Sequence, residues 1–169
     1  VKGSGEAYIR PLDMEDLVIA LHGSGAVRAY EIKANKLELK LDGSGNIQAE
    51  AVEAKTALLH LKGSGDLQLG SLNADKVTTN LDGSGDIDID EEGRVDDLKI
   101  RLLGSGAVSL GKLQATRADV TIMGSGDIEV WAESELEAEI LGSGDVRYTG
   151  SPTISDSVFG SGELRQRDQ

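Results

Sequence analysis

The tripeptide Gly-Ser-Gly occurs nine times in this 169-residue chain, and its spacing constrains the fold more than any other feature. The copies begin at residues 3, 23, 43, 63, 83, 104, 124, 142 and 160. The intervals between them are 20, 20, 20, 20, 21, 20, 18 and 18 residues, which is too regular for a flexible linker. The chain is therefore predicted to repeat one small structural unit.

Apolar residues recur at fixed distances from each copy. They lie four, six, nine and eleven residues after the first glycine, and two and four residues before the next copy. In the second unit these positions hold Val27, Ala29, Ile32, Ala34, Leu39 and Leu41. Alternation with a period of two indicates a strand, because successive side chains leave a strand on opposite faces. The alternation changes phase twice in each unit, so we expect three short faces.

No segment has the apolar spacing of an amphipathic helix, and the turn signals of hairpins are missing. The units are therefore predicted to stack in parallel, like residue upon like residue. This pattern predicts an all-β fold, a single-stranded right-handed parallel β-helix with coils of about 20 residues, forming one domain over residues 1–169. Thr79 interrupts an apolar column, and we expect its hydroxyl to donate a hydrogen bond to a neighbouring carbonyl.

Each Gly-Ser-Gly copy is predicted to form a corner of its coil. Both glycines fall on the inward parity, where a side chain would crowd the core, and glycine also allows a positive φ. The serine falls on the outward parity. The corner residues of the second to fifth copies are Gly23, Ser24, Gly25, Gly43, Ser44, Gly45, Gly63, Ser64, Gly65, Gly83, Ser84 and Gly85.

A repeated serine is also a candidate nucleophile. His22 and Asp42 are expected beside Ser24, in the combination of a catalytic triad. The same serine recurs in eight other copies without this histidine, and a flat stacked face offers no evident oxyanion hole. A structural role for the serine is therefore favoured, and no catalytic residue is predicted.

Acidic residues often follow the motif directly, which raises the question of a metal site. Asp66 and Asp86 should lie on adjacent coils, where two carboxylates either repel each other or share a hard cation such as calcium. Asp88 and Asp90 extend this acidic group. These four residues are the candidate ligands for weak calcium binding, and no other cofactor is predicted. A solvated acidic face without a metal is the favoured alternative.

The composition limits the classes of partner and site that this chain can have. With 30 acidic and 17 basic residues the net charge is −13, which excludes nucleic acid as a partner. No apolar run is long enough to span a membrane, and the chain has no cysteine. Aromatic platforms for sugars are scarce, and Tyr8 and Trp131 are expected to be cover or corner residues. A polysaccharide-degrading site is therefore disfavoured.

Val1 lies inside the repeat pattern, so residues upstream of it are expected to be missing from this sequence. The first coil would then present an open strand edge. This edge supports an alternative hypothesis, a homo-oligomeric scaffold that stacks end to end like the bactofilin filaments.

The segment 124–154 lies within the two shortened, 18-residue repeats that begin at residues 124 and 142, and Tyr148, Gly150 and Pro152 precede the last Gly-Ser-Gly copy. This arrangement resembles the end of the bacterial auto-transporter adhesin head GIN domain family, and the likeness extends over nearly the whole chain. The resemblance implies a right-handed β-helix without a recognised catalytic centre. It also implies a periplasmic, outer-surface or secreted location and a protein or surface glycan as partner.

The leading hypothesis is thus a non-enzymatic exported module for adhesion or surface interaction. The scaffold is one alternative. A carbohydrate-active enzyme that uses Asp86, Asp88 and Asp90 is a second, less favoured one.

Overall fold

The computed structural model describes residues 1–167, which form thirteen β-strands and no helix. Every strand pair is parallel, and all the strands belong to one sheet. The strands are β1 Lys2–Gly3, β2 Glu6–Ile9, β3 Leu12–Gly23, β4 Ala26–Gly43, β5 Asn46–Gly63, β6 Asp66–Gly83, β7 Asp86–Ile89, β8 Gly93–Gly104, β9 Ala107–Gly124, β10 Asp127–Gly142, β11 Val146–Thr149, β12 Thr153–Gly160 and β13 Leu164–Gln166.

Successive units stack with equivalent residues side by side. Between β4 and β5, for example, Val27 pairs with Ile47 and Leu41 pairs with Leu61, an offset of one repeat. The same relationship continues from β5 to β6 and onward along the chain. The chain is therefore a parallel β-solenoid of about eight coils, as the repeat predicts. Adjacent coils are about 4.8 Å apart.

The core consists of the inward columns. The most regular column is the leucine two residues before each Gly-Ser-Gly copy, whose members are at most 1% exposed: Leu21, Leu41, Leu61, Leu81 and Leu102. Burial of one such side chain contributes roughly 1.5–3 kcal/mol, so these columns supply the main driving force for stacking.

The pairing ladder between neighbouring coils is interrupted at two positions besides the motif. Between β4 and β5 the pairing ladder passes over Tyr30 and Glu50 and then over Asn35 and Lys55. At the first of these positions two consecutive residues, Tyr30 and Glu31, are both exposed. These are the places where the apolar alternation of the sequence changes phase, and the division of each coil into three faces stays a prediction.

Two coils differ in length from the others, and the difference is local. The 21-residue unit has its extra residue where β7 ends, so that Asp90, Glu91 and Glu92 leave the regular strand. The first 18-residue unit is shortened around Trp131, where the register between β9 and β10 shifts. The core columns continue through both irregularities, with Ile89 and Val130 still buried.

Thr79 departs from the expectation stated above. Its side chain is fully buried between Leu59 and Ile100, and its hydroxyl has no hydrogen-bond partner. The expected bond to a neighbouring carbonyl is therefore wrong. The backbone carbonyls of both adjacent coils are parallel-ladder acceptors, which leaves this inward hydroxyl among aliphatic side chains.

Candidate functional site

The Gly-Ser-Gly copies interrupt the strands and carry their own hydrogen bonds along the solenoid axis. The carbonyl oxygen of Gly23 accepts from the backbone amides of Ser44 and Gly45, at 3.1 and 3.0 Å, and Asn46 donates to the Gly25 carbonyl at 3.0 Å. The bond from the serine amide to the carbonyl of the first glycine recurs in every later copy, whereas the bond to the carbonyl of the second glycine recurs at Asp66 and Asp86. The serines themselves are exposed, on the outward parity that the sequence predicts.

From the second copy onward, a Cβ at either glycine would overlap a backbone carbonyl of the preceding coil, and the first glycine is also required for its φ. The first has a positive φ, for example 135° at Gly43, which other residues rarely adopt. The second, such as Gly45, has no positive φ, but a Cβ there would overlap the carbonyl oxygen of Gly25 and lie 2.9 Å from Leu21 Cδ2. Close stacking of backbones therefore excludes any side chain at the second glycine.

Three of the acidic residues that directly follow the motif accept hydrogen bonds from the next coil. Asp86 Oδ1 accepts from the backbone amide of Ala107 at 3.0 Å, and Asp127 Oδ1 accepts from the amide of Asp145 at 3.0 Å. Asp145 Oδ1 in turn accepts from the amide of Glu163 at 2.9 Å. The carboxylates thus pair backbone donors of the next coil, which explains why aspartate suits this position.

The structure brings the four candidate calcium ligands to one outer face. Asp66 and Asp86 are register partners, and Asp88 lies two residues further along β7. Asp86 already accepts the amide of Ala107, and Asp90 accepts a hydrogen bond of 2.5 Å from Gln68. Across residues 1–167, no three His, Asp or Glu side chains come together in an arrangement that could hold a metal ion. Calcium binding by these residues stays a prediction.

Asp88 is partly buried beside the other three carboxylates of this group. Partial burial raises the pKa of Asp88, and the carboxylates of Asp86, Asp90 and Asp66 raise it further, whereas a hydrogen bond from Ser109 lowers it. The protein therefore disfavours the ionised form of this side chain.

The residues of the hypothetical triad lie near each other on neighbouring coils, and all three are exposed. His22 Nδ1 lies 3.6 Å from Asp42 Oδ2, and both side chains are at least half exposed. Ser24 is exposed at the strand break. The His22–Asp42 pair is an exposed interaction between neighbouring coils, and such pairs contribute little to stability.

A group of aromatic and polar side chains lies on the outer face of the first three coils. We call it the tyrosine face, and it consists of Tyr8, Arg28, Tyr30, Gln48 and Glu50, which together with Ala29 line a depression of about 220 Å³. The Arg28 guanidinium lies 5.9 Å from the centroid of the Tyr8 ring.

Further contacts position the ring of Tyr8. Its hydroxyl donates to Glu6 Oε2 at 2.9 Å, and this hydrogen bond is the main reason why the pKa of Tyr8 is raised. The side chain is nevertheless 60% exposed. The expectation that Tyr8 covers the core is therefore not supported, although its outward parity could be read from the repeat alignment.

A second and larger groove runs across the middle face of several coils. Its volume is about 690 Å³, its floor includes Ala34, Ala54 and Ala74, and charged residues such as Lys33 and Glu53 form its sides. Lys33 Nζ lies 3.3 Å from Glu53 and 3.5 Å from Glu31, and these two carboxylates raise the pKa of Lys33. The groove carries charges of both signs, and Lys33 and Glu53 form an ion pair within it.

The stacked parallel coils place this protein in the class of β-solenoids. Apart from the buried Thr79, its polar and charged side chains lie on the outer faces. The part of the chain that the structure describes has no helix that could cross a membrane. The family described as "Putative auto-transporter adhesin, head GIN domain" matches residues 1–87 and 38–152. The chain belongs to this family, and the resemblance seen in the sequence is confirmed.

A solved structure has the same fold. It is described as "Putative lipid binding protein" from Parabacteroides distasonis ATCC 8503, with 31% sequence identity and a TM-score of 0.83. The match covers 89% of this chain and 61% of that protein, so the chain spans less than two thirds of its solved relative. No curated protein matches the chain.

Proposed function

We propose that this chain is a non-enzymatic, exported module that mediates adhesion or another interaction at a bacterial cell surface. The observation that carries the proposal is the family match, which extends over most of the solenoid. The solenoid supports it physically, because its columns of buried aliphatic residues leave the outer faces free to differ in chemistry from coil to coil.

A non-enzymatic role is also consistent with the site chemistry. The His22–Asp42 pair is exposed, and Asp86 and Asp90 accept hydrogen bonds within the protein, so none of these residues is a nucleophile oriented by a base. The negative net charge of −13 suits a surface protein that avoids nonspecific contact with nucleic acid and anionic membranes.

Fractionation of the native cells tests this proposal. We expect antibodies against the solenoid to detect the protein in the periplasmic, outer-surface or secreted fraction, and a deletion strain to adhere less to coated surfaces. Recovery of the native protein from the cytoplasm alone would overturn the proposal.

Lipid binding is a second candidate function, supported by the description of the solved relative. A groove of about 300 Å³ on the outer face is lined by the apolar residues Leu17, Val18, Leu37 and Leu58 and by the polar residues Asp16, Lys36, Glu38 and Thr56. Val18 is 59% exposed, so an acyl chain bound in this groove would cover apolar surface.

A fluorescent fatty acid provides the test of this second candidate. Val18→Asp should abolish saturable binding, whereas Thr78→Asp, which changes the same outward column three coils further on, should not. Binding that is absent from the wild type, or equal in both variants, would exclude a lipid site in this groove.

A further inference from the structure

We propose that the tyrosine face is a binding site for a neutral glycan, with Tyr8 and Tyr30 as stacking platforms. This inference rests on the proposed function, since it names the ligand class and the surface of the interaction module.

Tyr8 and Tyr30 occupy outward positions, where the fold does not require an aromatic side chain. The chain has only five aromatic residues, one Trp, three Tyr and one Phe. Tyr8 and Tyr30 are 60% and 48% exposed, and they belong to adjacent coils. Tyr148, by contrast, packs against the core. Two of the three tyrosines thus present aromatic surface to solvent within one small area.

Register and contacts place the two rings around one arginine. Tyr8 is the register partner of Arg28, and Tyr30 follows Arg28 by two residues on the same side of the strand. The Arg28 guanidinium over the Tyr8 ring and the bond from the Tyr8 hydroxyl to Glu6 hold that ring in place. A ring restrained in this way loses little conformational entropy when a ligand stacks on it.

The polar side chains that line the depression with the tyrosines can form hydrogen bonds with sugar hydroxyls. Gln48 and Glu50 line the depression with the tyrosines, and Gln48 also lines an adjoining depression of about 120 Å³ with Asn46 and Gln68. Amide groups both donate and accept hydrogen bonds, as hydroxyl groups do. Arg28 takes part in none of the salt bridges found among residues 1–167, so its guanidinium donors are available to a ligand.

This combination fits a pyranose glycan better than other ligands. A pyranose ring has an apolar face of C–H groups that stacks on an aromatic ring, and an edge of hydroxyls that needs mixed donors and acceptors. The carboxylates of Glu6 and Glu50 outnumber the single charge of Arg28, and the protein carries a net charge of −13. Both properties oppose an anionic polymer and favour a neutral sugar.

The decisive experiment uses the full chain on an array of neutral oligosaccharides (β-glucans, mannans, galactans and chitooligosaccharides) and of acidic ones (alginate and hyaluronan). We expect binding to at least one neutral series and weaker binding to the acidic series. Titration calorimetry with the best neutral oligosaccharide should then give at least a tenfold loss of affinity for Tyr8→Ala and for Tyr30→Ala.

Phe159→Ala is the matched control, because Phe159 is an equally exposed aromatic residue at 64% and lies on β12, near the other end of the solenoid. Its affinity should equal that of the wild type. Unchanged thermal unfolding of the tyrosine variants confirms that they fold. A lack of binding to every neutral series, stronger binding to the acidic series, or unchanged affinity in both tyrosine variants would overturn the proposal.

The failure of this inference can be distinguished from failure of the proposed function. A protein that is found at the cell surface and promotes adhesion but binds no glycan overturns only the glycan site. A cytoplasmic protein that binds a neutral glycan through Tyr8 and Tyr30 overturns the proposed function and supports the site.

Discussion

The backbone amide of Asp145 donates a hydrogen bond to the Oδ1 atom of Asp127 on the preceding coil, over a distance of 3.0 Å. The two residues occupy the same position of consecutive repeats, directly after Gly-Ser-Gly. The acidic column of this protein is therefore partly a set of hydrogen bonds that join one coil to the next.

We expect Asp127→Ala to destabilise the protein by about 1–3 kcal/mol, because it leaves the amide of Asp145 without its charged acceptor. The free energy of unfolding from urea titration measures the effect. Asp66→Ala is the control, since the amide of the next coil, that of Asp86, donates to the Gly65 carbonyl instead. Equal losses in the two variants would contradict the assigned role.

Gly65→Ala should destabilise the solenoid by more than about 2 kcal/mol, because the new Cβ would overlap the carbonyl oxygen of Gly45 and press on Leu41. Gly111→Ala is the matched control: its Cβ would meet only the Glu129 side chain, at 3.7 Å or more. Chemical denaturation of both variants tests this prediction. A tolerated alanine at residue 65 would show that the coils can separate there without cost.

Thr79→Val should stabilise the protein by about 1 kcal/mol, since it replaces a buried hydroxyl that has no partner with a methyl group of similar shape. Thr78→Val changes the adjacent outward residue and should have an effect within about 0.5 kcal/mol. A shift in the thermal midpoint distinguishes them. Destabilisation by Thr79→Val would indicate that the hydroxyl has a partner in solution, such as a bound water.

The interaction between Asp97 and Arg117 should depend on pH. Arg117 Nη2 lies 2.7 Å from Asp97 Oδ1, and this bond lowers the pKa of Asp97 below its ordinary value of 3.8. A lowered pKa in the folded state means that the stabilisation is present above the ordinary pKa. It is lost as the pH falls through the pKa of the folded state.

A double-mutant cycle with Asp97→Asn, Arg117→Gln and the combined variant measures this coupling. Unfolding free energies should reveal a favourable coupling at pH 7 that is smaller at about pH 2, well below the ordinary pKa of 3.8. Coupling of equal size at both pH values would show that the charge of Asp97 is not responsible.

The core columns could be predicted because each depends on information that is local in the sequence. Val27, Ile47 and Leu67 occupy the same position after the motif, and stacking one repeat on the next brings them together without further assumptions. The coil length, the strand parity and the outward position of the serines follow from the same stacking of one repeat on the next. The right-handed sense of the solenoid stays a prediction.

The outer surface could not be predicted in the same way. Whether Asp86 binds a metal or a backbone amide depends on how its side chain meets the backbone of the next coil, at distances of a few ångströms. The exposure of Tyr8 and its contact with Arg28 depend on the same kind of detail. Repeat spacing places these residues on one face but does not determine their side-chain conformations.

The Gly-Ser-Gly repeat by itself determined the solenoid, because a 20-residue translation of apolar positions can bury its inward side chains only by stacking in parallel. The tertiary structure decided why each glycine is needed and what the acidic column does. It also decided where the tyrosine face lies. These features arise from contacts across neighbouring coils, whose geometry is set only when the backbones pack against each other.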